Sequence, residues 1–161
     1  MGSAADPAPL QLLSTCAKRA GARPPPPWRP FAALNYWVGT TRPDGRPHAA
    51  SVWGVWRDQT LYFEGSPHTR RGRNLATNPA VTVHLENAEE VVILEGTTTD
   101  LTAVDPVPAA QLVAAYARKY KATKDYEADP KNWEGGGLYA VPPQHGHRLG
   151  RLPHHHHALA L

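Results

Sequence analysis

Apolar and polar residues alternate in short runs along the middle of this chain, and a period of two predicts strands. Leu34 to Thr41 is rich in aromatic and β-branched residues and reads as a first strand. Arg42-Pro43-Asp44-Gly45-Arg46 follows. Pro presets φ and Gly accepts a positive φ, so these residues make a hairpin turn. Pro47 to Trp56 is the return strand, with Val52, Trp53, Val55 and Trp56 as its apolar content. Arg57-Asp58-Gln59 turns the chain into a third strand, Thr60 to Glu64. Ala80 to Glu86 alternates strictly: Val81, Val83 and Leu85 on one face, Thr82, His84 and Glu86 on the other. Asn87 to Glu89 is a further turn. Glu90 to Leu101 has a continuous apolar centre, Val91 to Leu94, which predicts a long strand buried on both faces at its middle. Leu138 to Val141 is the last short strand.

Two segments depart from that period. Gly65-Ser66-Pro67 breaks the third strand, and a short basic helix begins just beyond it and stops at Asn78-Pro79. Later, Asp105 is a plausible cap and Pro106 a suitable first helical residue, with Leu112, Val113, Tyr116 and Tyr120 at helical spacing. Lys121 to Gly137 is polar and Gly-rich and reads as a loop. Strands joined by hairpins, with one early and one late helix, predict a mainly β protein, a small antiparallel barrel that closes or half-closes to avoid bare edges.

The first residues add little. Residues 1–30 hold a candidate helix from Leu10 to Ala20 and a run of four prolines, Pro24 to Pro27, which must be extended. The expectation is a loosely attached arm over 1–30, one folded body over 31–141, and an irregular tail over 142–161. A lone cysteine, Cys16, excludes an internal disulfide and fits a reducing cytoplasm. No apolar run approaches the ~18–20 residues that span a bilayer, and no basic-then-apolar leader opens the chain. The net charge of +3 and pI near 9.2 raise the question of nucleic acid. The charge is concentrated in one short stretch, with no basic stripe interleaved with aromatics, so an anionic small ligand explains it better.

That stretch runs from His68 to Val83. Arg70, Arg71 and Arg73 stand within four residues, beside Thr69 and Asn74. A basic first turn combines backbone N–H groups, a helix dipole and guanidinium forks, which suits a phosphate. Surface arginines are more often merely solvated; their place at a helix start after a strand favours the phosphate. His48 on the return strand is either structural or a ligand contact. His84 should meet solvent or a second subunit. Trp53 and Trp56 read as core or interface. Lys119 and Lys121, at the end of the late helix, suit its dipole and could also reach a pocket. No catalytic triad, paired-carboxylate site or metal-ligand spacing is visible in the sequence.

The order of these pieces resembles a known family. The turn Arg-Pro-Asp-Gly-Arg-Pro-His, the strands Ser-Val-Trp-Gly-Val-Trp and Leu-Tyr-Phe, the helix start Thr-Arg-Arg-Gly-Arg-Asn-Leu, then Asn-Pro-Ala-Val-Thr-Val, are similar to the pyridoxamine 5′-phosphate oxidase-like split-barrel proteins. Within them the flavin and deazaflavin oxidoreductases are most alike, over roughly Tyr36 to Ala140. The resemblance implies a homodimer of six-stranded, Greek-key-like split barrels. FMN or the deazaflavin coenzyme F-420 would lie in a groove between subunits, with hydride transfer to or from a small organic substrate. Thr69, Arg70, Arg71 and Asn74 inherit the phosphate. Ser51, Val52, Trp53 and Gly54 would run under the ring, with His48 nearby. The family usually shows Arg-Lys and a small residue where this chain has Arg-Arg-Gly, which keeps the charge and alters the contact. No second basic cluster offers itself for the phosphate of pyridoxamine phosphate. The cofactor carries such chemistry, so no catalytic side chain is expected. The alternative is a non-catalytic flavin- or haem-binding protein of the same fold.

The family usually ends with a further strand and an aromatic-basic terminus, which this chain lacks. After Val141 no periodicity is present, and the chain ends in four histidines and Ala-Leu-Ala-Leu. One codon choice for that end reads Arg-Trp-Arg in the next frame, so the expectation is a frameshifted tail. An intact reading frame on resequencing near Val141 would exclude a sequencing error. The alternatives for His154 to His157 are a loose metal site or a tag remnant, and no metal is assigned.

Overall fold

The structure, a computed structural model, describes residues 33–85, 91–102 and 104–149. The arm over 1–30 and the histidines at 154–157 lie outside them. Among the described residues nine strands form two antiparallel sheets. The first is five-stranded, in the order β2 (Pro47–Val52), β1 (Tyr36–Thr41), β5 (Ala80–Leu85), β6 (Val91–Thr97), β9 (Pro143–Leu149). The second is four-stranded, in the order β3 (Gly54–Arg57), β4 (Thr60–Glu64), β8 (Leu138–Val141), β7 (Thr99–Asp100). Among the described residues two α-helices accompany them, α1 (Arg70–Thr77) and α2 (Pro106–Lys124). This is a mainly β split-barrel fold. No helix among the described residues is long and apolar enough to cross a membrane.

All six strands expected from the sequence are present, and two of them are divided. The run Pro47 to Trp56 breaks at Trp53, so that β2 belongs to one sheet and β3 to the other. Likewise Glu90 to Leu101 breaks at Thr98, and Thr99–Asp100 joins the second sheet. Both divisions let one stretch of chain serve two sheets, and they join the halves of the barrel at its corners. The Arg42–Arg46 turn closes as expected, with Gly45 at φ +81° and its N–H on the Arg42 carbonyl at 2.9 Å.

Three layers follow from the strand faces. Between the sheets lie Tyr36, Val38 and Val52 from the first and Leu61, Phe63, Tyr139 and Val141 from the second, with Leu75 of α1 closing the stack. The other face of the second sheet carries Val55, Tyr62, Leu138 and Ala140 against Leu112, Tyr116 and Tyr120 of α2. β4 and β8 are therefore the strands covered on both faces. The expectation of two-sided burial at Val91 to Leu94 is corrected: Val92 and Leu94 are buried, while Val91 and Ile93 are half-buried because nothing among the described residues covers that side.

Smaller corrections concern the ends. Asp105 precedes α2 but its side chain makes no cap hydrogen bond. The helix runs on to Lys124 and stops at Asp125 in the left-handed region (φ +49°), and a 3-10 turn at Pro130–Trp133 interrupts the supposed loop. Pro143–Leu149 forms β9, paired with β6, in a stretch without any apolar period.

Candidate functional site

α1 starts under tight control. Thr69 caps it: the hydroxyl accepts from Gly72 N–H at 3.1 Å and donates to the Ser66 carbonyl at 2.8 Å. A Cβ on Gly72 would lie 2.4 Å from the Pro67 carbonyl oxygen, so only glycine lets the helix lie this close to the incoming chain. Arg70 points out and is exposed. Arg71 turns under, with its guanidinium 5.4 Å over the Phe63 ring and Nη2 donating to the Glu64 carbonyl at 3.3 Å. Burial lowers the pKa of that guanidinium, yet its Nε finds no partner among the described residues. Arg73 donates to the His68 carbonyl. Asn74 faces inward, its amide donating to Thr40 Oγ1 at 2.9 Å, and so ties α1 to β1. The first turn thus divides the expected phosphate group. Arg70 is displayed and Arg71 is half withdrawn. Thr69 spends its hydroxyl on holding the helix, and Asn74 spends its amide N–H there while its buried Oδ1 has no partner among the described residues.

His48 lies beside this start. The register sets it opposite Thr40, and its Nδ1 is 3.4 Å from Thr40 Oγ1. Burial lowers the His48 pKa first, and the charges of Arg42, Arg70 and Arg71 lower it further. Four basic groups from β2, α1 and the turn after β1 therefore converge. Arg42 has a buried Nε with no partner among the described residues. Sequence reasoning placed Arg42 in a turn and assigned it nothing. Its nearness to Arg70 depends on α1 packing against β1, which no local pattern encodes.

A groove of about 740 Å³ lies on the open face of the first sheet, and of the four basic groups His48 is the one among its lining residues. Cross-strand pairing puts Trp37, Gly39 and Thr41 of β1 on that face, with Pro47, Ala49 and Ser51 of β2 and Ala80, Thr82 and His84 of β5. Glu95 and Thr97 of β6 and His145 of β9 complete it. Its floor is low because its side chains are small. A Cβ on Gly39 would fall 2.4 Å from Thr82 Oγ1. Trp37 stands up from the face, 47 % exposed. His84 Nε2 is 3.3 Å from Thr82 Oγ1 on the same face.

The four residues expected under a ring are dispersed by the break in the strand. Ser51 is exposed on the open face, and Val52 is in the core between the sheets. Trp53 stacks on Tyr120 (5.4 Å) and meets Tyr126 edge-on (5.2 Å). Gly54 N–H donates to Tyr120 Oη at 2.9 Å, and its carbonyl accepts from Lys119 Nζ at 2.7 Å. Lys119 also donates to Tyr36 Oη at 2.9 Å. The backbone at Gly54 is thus engaged by α2. Among the described residues, no three His, Cys, Asp or Glu side chains gather as a metal would require.

Residues 34–135 match the family model described as pyridoxamine 5′-phosphate oxidase. No curated protein matches the chain. Solved structures share its fold, among them the following three. An F-420 reductase is 22% identical, with 76% of this chain and 98% of that one covered and a TM-score of 0.55. The haem storage protein HutZ from Vibrio cholerae is 15% identical, with 74% and 87% covered and a TM-score of 0.57. A haem binding protein from Mycobacterium smegmatis is 21% identical, with 76% of this chain and 51% of that one covered and a TM-score of 0.58.

Proposed function

The chain belongs to the pyridoxamine 5′-phosphate oxidase family, and on that premise we propose that it is an oxidoreductase that holds FMN or coenzyme F-420. The observation that carries this reading is the grouping of Arg42, Arg70 and Arg71 near enough for their charges to act on His48, which itself lines the open groove. The donor set fits a phosphate: two of the guanidinium groups have a buried Nε with no partner among the described residues, and planar forks match phosphate oxygens. Arg70 reaches outward, Arg42 lies at the turn after β1, Arg71 packs over Phe63, and His48 faces Thr40. Thr69 and Asn74 shape the mouth by fixing α1. A planar ring fits the low floor at Gly39 beside Trp37, with Ser51 at the far end of the same face. A second copy of the chain would cover that face and complete a homodimer.

When bound, a reduced flavin or deazaflavin supplies a hydride to a small organic acceptor. The chain itself binds the phosphate, orients the ring and excludes water. Reduced FMN can also pass single electrons to oxygen, whereas the deazaflavin is a hydride donor only. A second reading is non-catalytic binding of flavin or haem, favoured by His48, His84 and His145, which line one groove.

The test is a fluorescence titration of the full chain with FMN and with F-420, and an absorbance titration with haemin, for the wild type and Arg70→Ala. Saturable binding of FMN or F-420, weakened about tenfold or more by loss of the charged fork, supports the proposal. Turnover with the bound reduced cofactor then separates enzyme from binder. Binding of neither cofactor, or binding indifferent to Arg70→Ala, overturns it.

A further inference from the structure

Asp100 lies at the end of β7, exposed and away from α1 in sequence, yet it grips the chain that leads to the basic mouth. Its Oδ1 accepts from Gly137 N–H at 2.8 Å. Gly137 in turn accepts, through its carbonyl, from Gly65 N–H at 2.9 Å. Gly135, Gly136 and Gly137 all have positive φ (+81°, +111° and +103°), a conformation that side-chain-bearing residues rarely adopt. The glycines let the loop close on both partners. A Cβ on Gly136 would sit 3.0 Å from Asp100 Oδ2, and one on Gly137 would sit 3.1 Å from the Gly65 carbonyl oxygen.

The same loop holds the neighbouring residue by its side chain. Glu64 accepts from Trp133 Nε1 at 2.7 Å and from the Tyr126 hydroxyl. Beyond Gly65 the chain has no slack. Thr69 is bonded back to Ser66 through both its N–H (3.1 Å) and its hydroxyl (2.8 Å), and Gly72 rests on Pro67. The Arg71 guanidinium fills the space that Gly65 leaves: a Cβ there would be 2.1 Å from Nη2. A shift at Gly65 is therefore passed on to Arg70 and Arg71.

We infer that Asp100 is a positioning residue for the phosphate-binding mouth, acting through Gly137 and Gly65. This inference rests on the phosphate reading given above. Asp100 touches neither arginine's fork in this chain of bonds; it sets where the helix start sits. Losing it should reduce recognition of the phosphate and leave recognition of the ring unchanged.

The test compares each cofactor with its phosphate-free counterpart: FMN with riboflavin, and F-420 with its deazariboflavin fragment. Binding to the full chain is measured for the wild type, Asp100→Ala, Asp100→Asn and Arg70→Ala, with a melting curve for each. Asp100→Ala should weaken the phosphorylated ligand about tenfold, the size of one lost hydrogen bond to a charged group, and leave the phosphate-free ligand within about twofold. Asp100→Asn keeps an acceptor for Gly137 N–H and should bind like the wild type. If Asp100→Ala does not fold, Asp100→Ser, polar but too short to reach Gly137, replaces it. Equal weakening of both ligands, or no weakening while Arg70→Ala still removes phosphate selectivity, overturns the inference alone. A wild type without phosphate selectivity, unchanged by Arg70→Ala, overturns the phosphate reading and this inference together.

Discussion

Tyr120 and Gly54 are joined by a 2.9 Å hydrogen bond from the Gly54 N–H to the Tyr120 hydroxyl, one residue past the point where a single extended run is divided between two sheets. The hydroxyl also donates to the Leu34 carbonyl at 2.8 Å. Lys119 holds the Gly54 carbonyl from the same helix. A Cβ on Gly54 would come 2.9 Å from the Tyr62 carbonyl oxygen, so the corner has no room to relax. Tyr120→Phe removes an acceptor from a buried N–H and should destabilise the protein by roughly 1–3 kcal/mol. Urea unfolding should show a lower midpoint at an unchanged slope. An unchanged midpoint would mean that the corner is held by sheet pairing alone.

A pH dependence follows from His48. Its pKa in the folded protein lies below the ordinary 6.5, first from burial and then from Arg42, Arg70 and Arg71. The unfolded chain therefore binds this proton more readily than the folded protein. Stability from this group is complete above the unfolded value and is lost as the pH falls below it. Between about pH 7.5 and about pH 5, the wild type should lose more thermal stability than His48→Gln, which cannot titrate there. Parallel losses would show that neither burial nor the guanidinium groups lower the His48 pKa in the folded protein.

What the sequence made legible, and what it did not, divides along the same physical line. β1, β4 and β5 were readable because their faces alternate or carry aromatic and branched residues. The break at Trp53 was not, because α2, some 65 residues downstream, grips the corner. Two-sided burial was assigned to β6 from its apolar run, but it belongs to β4 and β8, where a helix covers the second sheet. β9 was invisible for another reason. An edge strand needs only the backbone of one neighbour, and Gln144, His145 and Gly146 are exposed, so no apolar period is required. At the basic mouth, the arginines of α1 were legible as a run. Arg42 was not, since α1 is brought against β1 by the Asn74–Thr40 bond between residues 34 apart.

Trp37 offers a test of the proposed dimer. It stands 47 % exposed on the open face of the first sheet, paired across the strands with Ser51 and His84. Trp37→Asp puts a charge where two copies would meet. The wild type should sediment as a dimer and the variant as a monomer, with the melting temperature of the isolated fold little changed. A monomeric wild type, or a variant that remains dimeric, would remove this face from the interface.

Gly72→Ala reverses the usual expectation for a helix. In an exposed helix interior, alanine in place of glycine is favourable by about 1 kcal/mol. Here the added methyl would meet three backbone atoms of Pro67, at 2.4, 2.6 and 2.7 Å. None of them can rotate away as a side-chain end could, and Ser66 and Thr69 fix the segment on either side. Overlap outweighs propensity, and the variant should be destabilised by roughly 1–3 kcal/mol. The helix start would also be pushed off its seat, so FMN or F-420 affinity should fall more than that of the phosphate-free ligand. A neutral or stabilising Gly72→Ala in urea unfolding would show that the helix start can slide away from Pro67, and that the mouth is not rigid.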